Sequence, residues 1–407
     1  MKKQLLLFVM LMLPMVSSAY DIAVENADGV RIYYNYINDG TELAVTCYFS
    51  GCYQGVVVIP DEVTYMDITR KVTSIGYNAF YDCGNLTSVT IPNTVTTIEG
   101  SAFAYCNGLT SIYIPNSVIS IGQSAFSPCS SLTSVTIGDN VNSIGDFAFR
   151  ICRSLKYLKI GKGVKTIGEN AFEECSRLSS LVIPEGVTTI GQRAFIFCSG
   201  LTSVTIPSSV TDIGYNAFDG CRNLTSVHVS DLAAWCNIVF GNEYANPLRY
   251  AYHIFLNGDE IKSLVIPNNV ECIHAYAFEY CLGLTSVTLP NSIKNIEGGA
   301  FTHCDFQQVI SRIEEPNGIS APFNNNTKLH GTLYVPFGTI EKYKTAEKWK
   351  DFANIVEGEP SGIANIEGAD VSETRRFTLD GKEIKNSRKG INIIHTKNGK
   401  TQKVVVK

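Results

Sequence analysis

The chain has 407 residues, 45% of them apolar and 17% charged, which suits one long repeat array or two to three ordinary domains and excludes wholesale disorder. Its net charge of −5 conceals a split: residues 374–407 hold ten Lys or Arg against two acids, whereas residues 20–373 sum to −15. An acidic body excludes nucleic acid as the expected partner, because phosphate binding needs a basic face.

The N-terminus reads as an export signal over residues 1–19. Lys2 and Lys3 precede an apolar run of twelve, Leu5 to Val16, and Ser17-Ser18-Ala19 offers small residues for cleavage. The run is too short for a permanent membrane helix. Export would place the mature chain where disulfides are permitted. Residues 20–58 follow with two alternating runs around Asn38-Asp39-Gly40, the pattern of a β-hairpin, expected here to cap what comes next.

Residues 59–357 are dominated by a repeat. Ala-Phe-x-x-Cys occurs nine times, at Phe80, Phe103, Phe126, Phe149, Phe172, Phe195, Phe218, Phe278 and Phe301, with a spacing of 23 residues apart from one jump of 60 after Phe218. Such a period is the signature of a solenoid. One turn reads LTSVTIPNTVTTIEGSAFAYCNG. Val89 and Ile91 alternate with Ser88 and Thr90, as in a half-buried strand, and Pro92 closes it. VTTI is a second, shorter extended piece. Ala102, Phe103 and Cys106 suit one short helical turn facing inward. A Gly follows the Ile in six turns, but Glu99, His274 and Glu297 take that place in the others, so no left-handed backbone is required there. The expected fold is a β-rich, leucine-rich-repeat-like solenoid of 23-residue turns, with a parallel sheet and short helical turns, because no turn buries its apolar face alone.

Two stretches depart from the period. Residues 228–262 are expected to replace a helical segment with a longer loop ending in a hairpin at Asn257-Gly258. Residues 305–357 read as a decayed turn and C-terminal cap, with Tyr343 and Trp349 placed on a short helix over the open end of the core. A linker, 358–373, leads to the basic tail, 374–407, where Asp380-Gly381 and Asn398-Gly399 mark hairpins in a small β-module.

The turn LTSVTIPNSV...IGxxAFxxC resembles the BspA-type leucine-rich repeat over roughly residues 58–304. The tail, TRRFTLDGKEIKNSRKGINIIHTKNGKTQKVVVK, resembles C-terminal sorting or anchoring tails of exported bacterial proteins. These resemblances imply a secreted or outer-membrane-associated cell-surface protein that adheres to host matrix proteins or to other bacteria. They carry over no catalytic residue. The partner class they imply is an extracellular protein or glycan, with no cofactor and no transmembrane helix in the mature chain, taken here as a monomer.

The recurring cysteines are expected to be packing residues. One thiol per turn forms a line rather than a zinc tetrahedron, parallel side chains on stacked turns face the wrong way for disulfides, and free Cys behaves as a small buried apolar residue. Cys47 and Cys52, five apart and off the column, are a candidate local disulfide. Cys272-Ile273-His274 and His303-Cys304-Asp305 hint at a metal or a Cys–His pair, yet both sit where other turns carry unrelated residues, so no metal or catalytic set is assigned. GKGVKTIG at 161–168 lacks the spacing of a phosphate loop.

Specificity is sought on the outward strand face. Two columns, starting at Ser88 and Thr90, consist mostly of Ser and Thr. The exceptions Tyr113, Tyr157, Lys159, Val182, His228 and Val265 are the candidate ligand-contact residues, because aromatic side chains are favoured in interfaces. Neutral variation on an exposed face is the plainer alternative. Rival functions are a solenoid carbohydrate-active enzyme, disfavoured because these columns hold no Asp or Glu, and a passive structural spacer.

Overall fold

A computed structural model describes residues 20–360 and the tail strands Glu373–Thr378, Gly390–Thr396 and Thr401–Val406. The signal segment and most of the linker lie outside the described residues, as do Asp380-Gly381 and Asn398-Gly399. The chain divides into two units, residues 1–357 and 358–407.

The first unit is a β-solenoid whose turns share three sides. The long strand, such as Leu86–Thr90, forms one side. Its alternate residues point inward, so Val89 is buried while Thr90 is exposed. A two-residue strand, such as Thr97–Ile98, forms the second. Like positions of successive turns pair in parallel: Ser134 lies between Ser111 and Tyr157, and Ser120 between Thr97 and Ser143. The short strands join into one long sheet running from the N-terminal strands to Val239–Phe240.

The third side carries Ala-Phe-x-x-Cys, and it is not helical. In eight of the nine turns the residues two before and two after the Phe take positive φ, as Ser101 (54°) and Tyr105 (63°) do around Phe103, and Phe147 (58°) and Ile151 (60°) around Phe149; in the turn of Phe126 only Ser124 does, Pro128 standing at the second place. An α-helix needs right-handed φ throughout, so these residues break it. The gain is inter-turn pairing: the Phe103 N–H donates to Ala125 O at 2.7 Å, while Cys106 N–H closes the local turn on Phe103 O at 3.3 Å. The third side is thereby stitched from turn to turn like the sheets. Where a Gly follows the Ile it has ordinary φ and serves close approach: a Cβ on Gly122 would lie 2.6 Å from the carbonyl carbon of Glu99.

Stacked Phe rings fill the core. From Phe80 to Phe218 successive centroids are 4.7–5.4 Å apart and interplanar angles stay within 14°. Each ring is fully buried, and each such pair adds about 0.5–1.5 kcal/mol beyond area burial.

The N-terminal stretch is larger than a hairpin. Ile22–Glu25, Arg31–Ile37 and Glu42–Thr46 pair antiparallel, and Glu42–Thr46 then runs parallel to Ile68–Ile75, seeding the short-strand sheet. Gly55–Val58 already pairs with Leu86–Thr90, so the long-strand face starts inside the stretch read as cap.

The insertion is folded rather than a loop. It holds helices Leu232–Cys236 and Leu248–Ala251, with the Asp231 carboxylate accepting Ala234 N–H at 2.9 Å, and a hairpin of Ile254–Leu256 with Asp259–Glu260. Its side chains stand in for the backbone of a regular turn. Trp235 Nε1 donates to Ala277 O at 2.8 Å, the carbonyl position that in regular turns receives the preceding Phe N–H. Asn246 Nδ2 reaches Tyr276 O at 2.7 Å.

Beyond Phe301 the long-strand face continues through Gln308–Ser311, Thr332–Val335 and Ile355–Glu357. Tyr343 lies on the helix Ile340–Thr345, but Trp349 lies just past it. Both are buried: Tyr343 OH donates to Ile313 O at 2.7 Å and Trp349 Nε1 to Ile319 O at 3.0 Å. In the second unit the three tail strands form an antiparallel sheet.

Candidate functional site

The long-strand face groups the six sequence candidates unevenly. Tyr113, Tyr157 and Lys159 share one three-stranded sheet: Tyr113 and Lys159 flank Thr136, and Tyr157 sits two residues before Lys159 on the same strand. Adjacent strands are about 4.8 Å apart, so Tyr113 and Lys159 lie about 10 Å apart along the column. Val182 begins the next sheet, in register with Thr205 and His228. Val265 begins another, beyond the insertion.

Exposure separates these residues further. Tyr157 is 71% exposed, Val182 63%, Tyr113 58% and Val265 55%. His228 is already partnered, its ring stacked 4.9 Å from Phe255 and its Nε2 3.1 Å from Ser226 Oγ. Sequence reasoning missed Val56 and Val58, exposed in register with Ser88 and Thr90, and Val356 at the far end of the same face. The alternation in GVVV was the available signal, hidden because that stretch lacks the Ser-x-Thr pattern of its neighbours.

The column cysteines do more than fill space. Cys106 Sγ–H donates to Phe80 O at 3.0 Å, and Cys129, Cys152, Cys175, Cys198, Cys221 and Cys304 reach the equivalent carbonyl one turn back at 3.0–3.3 Å. Burial pushes the Cys106, Cys152 and Cys304 thiols up to about 12, so they are neutral donors and poor nucleophiles. Cys47 and Cys52 are free thiols in mutual hydrogen-bond contact, which, with burial, raises Cys47 well above the usual thiol range.

Two further features lie off the strand face. A shallow groove of about 510 Å³ runs along the Ala-Phe-x-x-Cys side, between Arg150, Glu173, Arg193 and Phe197. Its Arg150 and Glu173 are paired with each other at 2.7 Å, which leaves that charge pair satisfied internally. On the short-strand side the structure converges Cys272, His274 and Glu297, their ligand atoms within 4.8 Å of one another. Burial and the Glu297 carboxylate raise the Cys272 thiol. His303, by contrast, stacks on the Tyr280 ring at 4.0 Å, while Cys304 turns to its core carbonyl.

The BspA type leucine rich repeat region, in six copies, matches residues 60–177, 124–244 and 251–335, more than half of the chain. The chain belongs to this family. BspA-type repeats therefore account for the three-sided turn, and the match spans the insertion's first helix as well as the regular turns. Among solved structures, a leucine-rich repeat protein of Treponema pallidum is 26% identical over 54% of this chain and 89% of its own, with a TM-score of 0.38. A leucine-rich cell surface protein of Faecalibacterium prausnitzii is 24% identical over 87% and 100%, also at 0.38. The pneumococcal vaccine antigen PcpA is 16% identical over 84% and 99%, at 0.35. Among proteins of curated function none matches. Among the described residues of this BspA-type chain, no helix is long and apolar enough to cross a membrane.

Proposed function

We propose that this protein is an exported, surface-associated binding protein that holds an extracellular protein or glycan non-covalently along its long-strand face. One observation carries the reading. Tyr113, Tyr157 and Val182, more than half exposed, stand out from a rigid, parallel-paired face of Ser and Thr. Exposed aromatic and apolar side chains on an ordered scaffold lose little entropy on contact and make effective anchors. Lys159 beside Tyr157 supplies a polar contact at the same patch. The Lys2-Lys3 and apolar start of the chain supports export.

The test is binding of labelled protein to immobilised matrix proteins, mucin and glycans. Replacing Tyr113, Tyr157 and Val182 together by Ser, the residue type that lines this face elsewhere, is expected to weaken capture by tenfold or more, on the order of one anchor's contribution. Thermal unfolding should be unchanged. Equal binding by the variant would remove the strand face as the site, and absence of binding across the panel would favour a spacer. Product release from a polysaccharide panel would overturn the non-enzymatic reading.

A further inference from the structure

We propose that Cys272, His274 and Glu297 form a binding site for one divalent, borderline-soft cation, with Zn²⁺ the best fit. The site does not involve the long-strand face and goes beyond the binding function assigned to it.

The residues come from two successive turns. Cys272 lies on the short strand Cys272–Ile273, paired with Asn295–Ile296 in a two-stranded sheet that stands apart from the long short-strand sheet ending at Val239–Phe240. His274 and Glu297 each occupy the place that most turns give to Gly. Glu297 Oε2 is 3.4 Å from His274 Nδ1, and Cys272 Sγ is 3.9 Å from Glu297 Oε1. Zinc bonds of about 2.3 Å to sulfur and about 2.0–2.2 Å to nitrogen and oxygen, at tetrahedral angles, put ligand atoms about 3.3–3.6 Å apart. With one ligand atom from each residue the three lie within 4.8 Å of one another, so a cation would draw them in by up to about 1.5 Å. A thiolate, an imidazole and a carboxylate suit zinc better than the all-oxygen cations. Outer contacts already orient the set: Ala275 N–H donates to Glu297 Oε2 at 2.9 Å, and His274 N–H is held by Cys236 O at 3.0 Å. Three protein ligands leave a fourth position for water or for a donor from outside.

The same fold position in the first turns supplies an internal control. There Glu99 Oε2 accepts Tyr77 N–H at 2.9 Å and Glu99 Oε1 accepts Ser74 Oγ–H at 3.2 Å. Ser74 takes the place of Cys272, and Gly76 that of His274. The carboxylate bridging two turns is thus a structural device used at both sites. Only the second site surrounds it with a thiol and an imidazole.

The experiment is Co²⁺ and Zn²⁺ titration of the full, metal-free, reduced chain. The expected result is one equivalent of Co²⁺ per chain, with tetrahedral visible bands and a thiolate charge-transfer band, displaced by Zn²⁺. The variant Cys272→Ser/His274→Gly reproduces the arrangement the chain already uses at Ser74, Gly76 and Glu99, so it should fold normally and lose this signal. Glu297→Gln is a second, milder variant, expected to weaken Zn²⁺ by more than about 100-fold, since an outer-shell loss alone costs about 10–100-fold. Absence of stoichiometric binding by the native chain, binding without the thiolate band, or an unchanged spectrum in the double variant would each overturn the assignment.

Discussion

Seven of the nine column thiols tie their turn to the one before through a carbonyl, and this explains why the place is Cys rather than Ala or Ser. A thiol is apolar enough for full burial yet still donates weakly. Glu279 presents the opposite case. It is only 6% exposed, its Oε2 has no hydrogen-bond partner, and burial pushes its carboxyl from 4.5 up to about 7, against the pull of Arg249 and with help from Glu243. Because the folded pKa lies above the unfolded one, the protonated form is favoured by folding. Its stability contribution is full below about 4.5 and is lost as pH rises through about 7. Glu279→Gln should therefore stabilise the protein at pH 8 by about 1–2 kcal/mol, a fraction of the full linkage energy because water reaches part of the carboxyl. The gain should vanish near pH 5. Urea melts at the two pH values check this, and an equal effect at both would refute it. The position was legible as one place after Phe278; its missing partner was not, because Arg249 and Glu243 reach it from the insertion.

At the scale of elements, the insertion is a splice. A regular solenoid passes backbone hydrogen bonds from turn to turn, and an irregular segment must replace them or leave buried carbonyls unpaired. Trp235 and Asn246 do so with side chains. Trp235→Phe keeps an aromatic ring and removes the N–H that reaches Ala277 O. The expected loss is about 1–2 kcal/mol, one buried hydrogen bond combined with a smaller side chain, because Asn246 Nδ2 still reaches Ala277 O at 3.2 Å. Since repeat arrays are held by nearest-neighbour contacts, this loss should split the urea transition into two steps, the turns after the insertion melting first. A single transition at the native midpoint would contradict the splice. The hairpin at Asn257-Gly258 was readable from its turn residues, with Ile254–Leu256 and Asp259–Glu260 paired around it. The two helices were not, since neither exceeds five residues and so gives too short a window for a periodic signal.

For the molecule as a whole, the thiols report the architecture. Ten of the thirteen cysteines are buried and only Cys47, Cys52 and Cys272 are partly accessible. A bulky thiol reagent should label at most these three in the native protein and all thirteen after denaturation without reductant. Fast labelling of more than three would show that the column is not sealed. A denatured count lower by two would mean that Cys47 and Cys52 are joined.

The sequence by itself determined the period, the inward positions and hence the solenoid, because those depend on spacing within one turn. It also placed Tyr113, Tyr157, Lys159 and Val182 outward, since strand alternation is local. What only the tertiary structure decided depends on neighbours a full turn away. The left-handed residues beside the Phe positions bring the Phe N–H to the next turn's carbonyl, as from Phe103 to Ala125 O. Trp235 acquires its meaning from Ala277, 42 residues on. Cys272 and His274 read as unrelated variants until stacking sets Glu297 beside them. A repeat hides such convergences from sequence reading because each turn, taken alone, is a small variation on the others, and chemistry arises only where two variations meet across the stack.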